Sequence, residues 1–302
     1  MELVLKTWNC FGMAQDWYGA LSGTRAPAAP RFSNLGVIGA CAAVDVLCIQ
    51  ELFSADALLF FDGLRAHGLA SAVRDDNRLH VRSRTARGSG LGIGSRHTAT
   101  KTRLRRFSPR SVGWDRLARK GALYAQIGRL DGSLQLDVVT VHLQAGQTSA
   151  AVAVRASQLA ELARFVEEVA SPERPFVVCG DFNIDGLGAE LREAAEYQRI
   201  RAALPGFEDL GEADDRPTFD PHPERNTLAW SQPNAGHPQR IDYIFFRPAR
   251  SGPFRVECQG TCVVLDEPLP GTPPQRLGRA PAGPAYASDH FGLTATFRCL
   301  AR

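Results

Sequence analysis

Carboxylates, amides and imidazoles recur in this chain at the ends of apolar runs. Asn9 closes Leu3-Val4-Leu5-Lys6-Thr7-Trp8, Glu51 closes Val44 to Gln50, and His142 closes Leu134 to Val141. Asp181, with Asn183 two positions on, closes Phe176-Val177-Val178-Cys179-Gly180. Asp242 sits in Arg240-Ile241-Asp242-Tyr243-Ile244, and Asp289 with His290 adjoins Phe291. One such residue is an ordinary cap or a satisfied polar group. Its repetition, read as a series of C-terminal strand ends, is best explained by convergence on one site.

Their chemistries fit together. Mg²⁺ takes hard oxygen ligands, and a carboxylate with an amide oxygen, completed by water or phosphate oxygens, makes a normal shell; Glu51 and Asn9 can supply it. On an extended segment Asp181 and Asn183 would share a face and address one phosphate and its attacking water. His290 with Asp242 has the parts of a carboxylate-oriented imidazole, Asp289 stands beside it, and His142 can donate toward charge developing on phosphorus. Each residue also has a plainer reading: Asn9 as a turn cap, His142 and His290 as core histidines, Asp242 as a partner of Arg240, Asp289 as a loop cap.

The elements that would position these groups follow from periodicity. A strand from Leu3 to Asn9 and a Gly/Pro/Ala-rich loop from Gly19 to Pro30 come first, followed by helical spacing from Arg31 to Ala43 and a buried strand from Val44 to Glu51. Ser54 can cap a helix from Ala55 to His67. Strands are expected at Leu91 to Gly94, Leu123 to Ile127 and Leu134 to His142, a long helix from Thr148 to Ala170, and a strand from Phe176 to Asp181. Short helices follow at Leu187 to Tyr197 and Gln198 to Leu204, and closing strands at Arg240 to Phe246 and Phe291 to Phe297. Gly211 to Gln239 is polar and reads as a long functional loop; Asp266 to Pro284, dense in Pro, Gly and Arg, reads as a mobile surface loop. Singly placed helices among more numerous strands imply an α/β (α+β) fold: two packed mixed sheets with outer helices and a site at one end, in a single domain over 1–302.

Composition narrows the function classes. With 44% hydrophobic and 22% charged residues over 302 positions, disorder is excluded. A net charge of +3 is too small for wholesale attraction to nucleic acid or anionic membrane. A local run of Lys101, Arg103, Arg105, Arg106 and Arg110 either forms a solvated strand edge or contacts nucleic acid. Seven cysteines, mostly within apolar runs, read as buried free thiols in a reducing compartment, and Cys258 and Cys262 lack the neighbours of a zinc site. No run approaches the roughly 20 apolar residues of a membrane span. The expectation is a soluble, cytoplasmic monomer.

Trp8-Asn9, Gln50-Glu51, His142-Leu143, Gly180-Asp181-Phe182-Asn183, Arg240-Ile241-Asp242-Tyr243-Ile244 and Ser288-Asp289-His290, in that order, resemble the motif set of the endonuclease/exonuclease/phosphatase superfamily. Lys120-Gly121-Ala122-Leu123-Tyr124, His142-Leu143-Gln144-Ala145 and Arg155-Ala156-Ser157-Gln158 resemble its neutral sphingomyelinase branch. The resemblance implies a DNase I-like four-layer α/β/β/α sandwich and a Mg²⁺-dependent phosphodiester hydrolase, with Mn²⁺ as a substitute ion. It assigns Glu51 and Asn9 to the metal with Asp289 in support, Asp181 to the attacking water, Asn183 to the phosphate and His142 to the pentacovalent state. His290, aligned by Asp242, becomes the general base or a second-metal contact, which leaves base duty open between Asp181 and His290. Lys120 and Arg155 read either as ordinary surface charges or as contacts to the substrate phosphate.

Two departures bear on substrate. Abasic-site endonucleases carry an acidic residue where this chain has Phe11. Secreted bacterial sphingomyelinases enter membranes with an aromatic-rich hairpin, whereas Leu265 to Ala285 contains no Trp or Phe. The first departure argues against a repair nuclease and the second against action on intact bilayers; the expected substrate is a phosphodiester of a lipid head group or small molecule, with a soluble phosphomonoester equally open. A DNA or RNA nuclease, and a non-catalytic binding protein on the same scaffold, are the alternatives.

Overall fold

A computed structural model describes residues 1–13, 28–75, 79–80, 85–86, 88–108, 110–129, 135–232, 236–252, 254–272 and 283–301. One sheet is built from β1 (Glu2–Asn9), β2 (Val46–Gln50), β3 (Ser71–Arg74), β6 (Gly92–Ser95), β13 (Phe254–Val264) and β14 (Gly292–Ala301), in the order β13-β14-β1-β2-β6-β3. The other holds β7 (Thr98–Arg106), β8 (Gly121–Gly128), β9 (Gln135–His142), β10 (Phe176–Asp181), β11 (Glu208–Asp209) and β12 (Asp242–Arg247), in the order β11-β12-β10-β9-β8-β7. A two-stranded pair, β4 (Leu79–His80) and β5 (Thr85–Ala86), lies apart. β1 with β2 and β9 with β10 run parallel; every other named pair is antiparallel.

The nearly continuous apolar strands are explained by burial on both faces. Along β10, Val177 and Cys179 enter the core between the sheets, while Phe176 and Val178 face outward into a second core. In β12, Ile244 and Phe246 point inward and Tyr243 and Phe245 outward. Helix α4 (Ser149–Val169), whose N-cap Thr148 accepts a hydrogen bond from Ala151 N, covers that outer face with Leu159, Leu162, Phe165 and Val166. Each such side chain contributes about 1.5–3 kcal/mol. The first sheet is covered by α1 (Ala28–Phe32), α2 (Leu35–Ala42) and α3 (Ala55–Gly63), the last capped by Ser54 and continued by a 3₁₀ turn over Leu64–His67. The four layers α/β/β/α match the expected fold class.

Local differences have local causes. The helix expected from Arg31 to Ala43 is two helices, because the Asn34 side chain accepts from Gly36 N and Val37 N and so starts a new one. The pair expected over 187–204 divides at Ala194, into α5 (Gly188–Glu193) and α6 (Ala195–Ala203). β13 lies outside the expected strands; its exposed face leaves a mixed pattern without clean alternation. Of the loop expected at Gly19 to Pro30, positions 19–27 lie outside the described residues and the remainder enters α1. Of the loop expected at Asp266 to Pro284, positions 273–282 lie outside them. The seven cysteines are free thiols, and no described helix is long and apolar enough to cross a membrane.

Candidate active site

Strand direction brings the polar residues together. The parallel pairs end side by side: Asn9 lies in register with Gln50, and Asp181 with His142. Asp242, expected at the end of its strand, instead opens β12, and Asp289 with His290 precedes β14. Those strands run antiparallel to their neighbours, so their beginnings reach the same edge, and Asp242 is in register with Asp181. Gly180 makes the approach feasible: at φ +133° it carries no Cβ, and a Cβ there would lie 2.1 Å from the Val141 carbonyl oxygen. Below this edge Gln50 Nε2 donates to Thr7 Oγ1 and to Thr140 Oγ1, joining the two sheets.

Asp181 occupies the centre. Its Oδ2 accepts from Asn9 Nδ2 at 3.0 Å and lies 3.3 Å from His142 Nε2 and 4.0 Å from His290 Nε2. His290 Nδ1 is 2.8 Å from Asp242 Oδ2, and His142 Nε2 is 3.9 Å from Glu51 Oε1. Glu51 therefore lies on the same side of the molecule as the rest, as convergence requires. Lys120 Nζ is 2.7 Å from His142 Nε2 and 3.1 Å from Asp115 Oδ1, and Asp115 Oδ2 accepts from Ala145 N at 2.6 Å.

Asn183 is not on the extended face that spacing suggested. It is left-handed at φ +52°, its N–H donates back to Asp181 Oδ1, and its Nδ2 holds the Leu143 carbonyl at 3.0 Å. Glu51 (φ +63°) and Phe11 (φ +48°) are also left-handed, and Phe11 N donates to Asn9 Oδ1 at 3.1 Å. Non-glycine residues in this region carry backbone strain, and here they re-aim side chains as strands leave the sheets.

Burial alone would raise the Asp181 carboxyl, but His142, His290 and Lys120 together outweigh it and hold it well below the usual carboxylate range. For His290 burial acts to lower the imidazole; Asp242, Asp181 and Asp289 overcome it and hold the group well above its ordinary value. Burial raises Asp242 against the opposing pull of His290. Asp289, its Oδ1 contacted by Ser288 Oγ at 3.2 Å, is pushed up to about 7 by burial, with Glu51 adding to the rise and His290 and Arg31 opposing it.

Other expectations are corrected. Arg155 does not face the site: it is fully buried, paired through Nε and Nη2 with Glu196 and through Nη1 with the Gln144 and Gly146 carbonyls. Its role is to clasp the turn after His142. Arg240 is committed to Asp209 (2.9 Å) and stacks on Tyr243, which leaves Asp242 to His290. In the basic run, Arg103 and Arg105 pair with Glu168, and Arg106 with Asp75. Residues that spacing did not single out include Arg31, whose buried guanidinium holds the Cys10, Phe11 and Ala287 carbonyls and so ties the ends that carry Asn9 and Asp289. A basic residue amid apolar neighbours was its sole signal.

The donor set suits a hard divalent cation. Glu51 Oε2 is buried and, among the described residues, has no hydrogen-bond partner, which is costly unless a ligand completes it. Asp181, Asp242 and His290 form a second arrangement with ligand atoms within 4.8 Å of one another. That set overlaps the His290–Asp242 hydrogen bond and differs from the expected Asn9, Glu51 and Asp289.

The model of the Endonuclease/Exonuclease/phosphatase family matches residues 7–290. The chain belongs to that family. Among curated proteins, a "Putative neutral sphingomyelinase" of Caenorhabditis elegans is 24% identical over 273 residues, covering 84% of this chain; the chain spans 57% of that relative's length. Among solved structures, a double mutant of beta toxin from Staphylococcus aureus with bound magnesium ions has a TM-score of 0.73 at 19% identity, covering 98% of this chain and 99% of that one. D. rerio TDP2 complexed with single-strand DNA product has a TM-score of 0.67 at 20% identity, with 98% and 99% covered. These two likenesses establish that this family member shares their fold.

Proposed function

We propose that this family member is a Mg²⁺-dependent phosphodiester hydrolase whose substrate is a sphingomyelin-type head-group diester. The observation that carries the reading is Asp181, buried as an anion between Asn9, His142 and the His290–Asp242 pair. Water attack on phosphorus needs a base, a means of orienting the nucleophile and donors for the charge that develops on the phosphate oxygens. A carboxylate held below its usual range is a weak base but a firm acceptor, so Asp181 orients the water. Asp242 engages Nδ1 of His290 and leaves Nε2 facing Asp181, which assigns proton removal to the neutral form of His290. His142, with Lys120 beside it, donates toward the phosphate oxygens, and Asn183, its amide spent on the Leu143 carbonyl, holds the turn after Asp181 in place.

Glu51 and Asn9 would hold the divalent cation with Asp289 in support, and the cation would neutralise the phosphate charge. Support for the head-group class comes from the name of the curated relative and from the Lys-Gly, His-Leu-Gln-Ala and Arg-x-x-Gln segments. The engagement of Arg103, Arg105 and Arg106 by carboxylates weighs against a nucleic-acid substrate.

The test compares hydrolysis of sphingomyelin in detergent micelles with that of bis-p-nitrophenyl phosphate, for the parent, Asp181→Ala and His290→Ala. EDTA should abolish turnover, and each variant should lose about 10²–10⁴-fold in kcat. A variant as fast as the parent would overturn the mechanism; cleavage of the simple diester with none of the micellar lipid would overturn the substrate class.

A further inference from the structure

The polar loop between β11 and β12 reaches both members of the His290–Asp242 pair, although they stand on different sheets. Thr218 N and Phe219 N donate to the Gln239 carbonyl, and Gln239 N donates back to Phe219 O at 2.8 Å, fastening the loop to the approach to β12. Phe291 N donates to Thr218 O at 2.7 Å, fastening it to the start of β14. Between these ties the Thr218 hydroxyl oxygen, fully buried, accepts from Ile241 N and from Asp242 N, each at 3.1 Å. The Phe219 ring meets the His290 imidazole edge-on, with centroids 5.4 Å apart. Farther along the loop, Asn226 Nδ2 donates to the Ser288 and Asp289 carbonyls while its Oδ1 accepts from Leu228 N and Ala229 N.

We propose that Thr218 is a positioning residue for the His290–Asp242 pair: it fixes the Asp242 backbone on one sheet against the start of β14 on the other, while Phe219 seats the imidazole. This rests on the hydrolase reading above. The physical ground is geometric. A buried hydroxyl that accepts from two consecutive backbone N–H groups sets where the chain enters β12, and a shift there changes the distance from Asp242 to His290. A displaced Asp242 misaims the imidazole, and proton transfer to Nε2 is steep in that aim whereas phosphate binding is not, so the predicted signature is a fall in kcat with KM held.

Thr218→Val keeps the shape and removes the acceptor; Thr218→Ser keeps the acceptor. With bis-p-nitrophenyl phosphate and saturating Mg²⁺, at a temperature where melting curves show every variant folded, Thr218→Val should lower kcat by roughly 10- to 100-fold with KM within about twofold. Thr218→Ser should stay within about threefold of the parent. If Thr218→Val does not fold, Phe219→Leu takes its place, with the same fall in kcat expected at unchanged KM. Parental kcat in the folded variant, or an equal fall in Thr218→Ser, overturns the proposal. His290→Ala is measured alongside. An inactive His290→Ala beside a fully active Thr218→Val sinks the positioning role alone, whereas an active His290→Ala sinks the hydrolase reading beneath it.

Discussion

Replacing Asp242 by Asn tests the assignment of the base most directly, because it keeps the volume of a fully buried side chain and removes the charge beside His290. The Nδ1 to Oδ2 distance is 2.8 Å, a charge-assisted hydrogen bond when the ring is protonated. Such bonds contribute about 1.5–3 kcal/mol, so losing one weakens proton binding by the imidazole. The sign follows from the cause: Asp242 is the largest of the influences that raise His290, so its removal lowers that group. The acid limb of the kcat profile should then move toward lower pH. Activity on the plateau should fall by about 10- to 100-fold, since a weaker base removes the water proton less readily. The loss grows if the Asn amide donates to Nδ1, because the ring proton then moves to Nε2, the atom required to accept. Profiles from pH 5 to 9 on bis-p-nitrophenyl phosphate, with an NMR titration of the imidazole in metal-free protein, measure both quantities. A limb that stays in place, with the imidazole titration displaced, would show that His290 is not the base and would return that role to Asp181.

Three further outcomes are expected. Asp289, protonated up to about pH 7 in the metal-free fold, must lose its proton to support the cation, so Mg²⁺ affinity should strengthen as pH rises through that value and then level off. Metal-free stability should run the opposite way: the folded pKa lies above the ordinary 3.8, so this contribution is full at the acid end and is lost as pH rises through about 7. Calorimetric titration and thermal melts at pH 5, 6, 7 and 8 check both, and an affinity flat across that range would remove Asp289 from the metal's surroundings. Arg155→Met should lower stability by about 1.5–3 kcal/mol, by loss of charged hydrogen bonds, while leaving KM for the diester unchanged. Urea unfolding with kinetics at low temperature measures this, and a large rise in KM would restore Arg155 to the substrate phosphate.

Much of the architecture is legible from local pattern. The strands that lead into Glu51 and end in Asp181 have apolar residues at nearly every position because both faces are buried, and α4 shows its covering face at helical intervals. The breaks at Asn34 and Ala194 escape such a reading because capping and backbone geometry decide them, not hydropathy. β13 escapes it because an edge strand with one solvated face has no strong signal.

Sequence alone determined which groups are available for catalysis: residue types and motif order name Asp181, His142, His290, Asp242 and Glu51 without any knowledge of distance. Only the tertiary structure decided what each group can do. Strand direction brings the beginning of β12 beside the end of β10, left-handed backbone at Asn183 turns its amide onto Leu143, and Glu196 withdraws Arg155 from the site. The physical reason is that charge and hydrogen bonding act over a few ångströms, and those separations are set by sheet pairing between segments far apart along the chain.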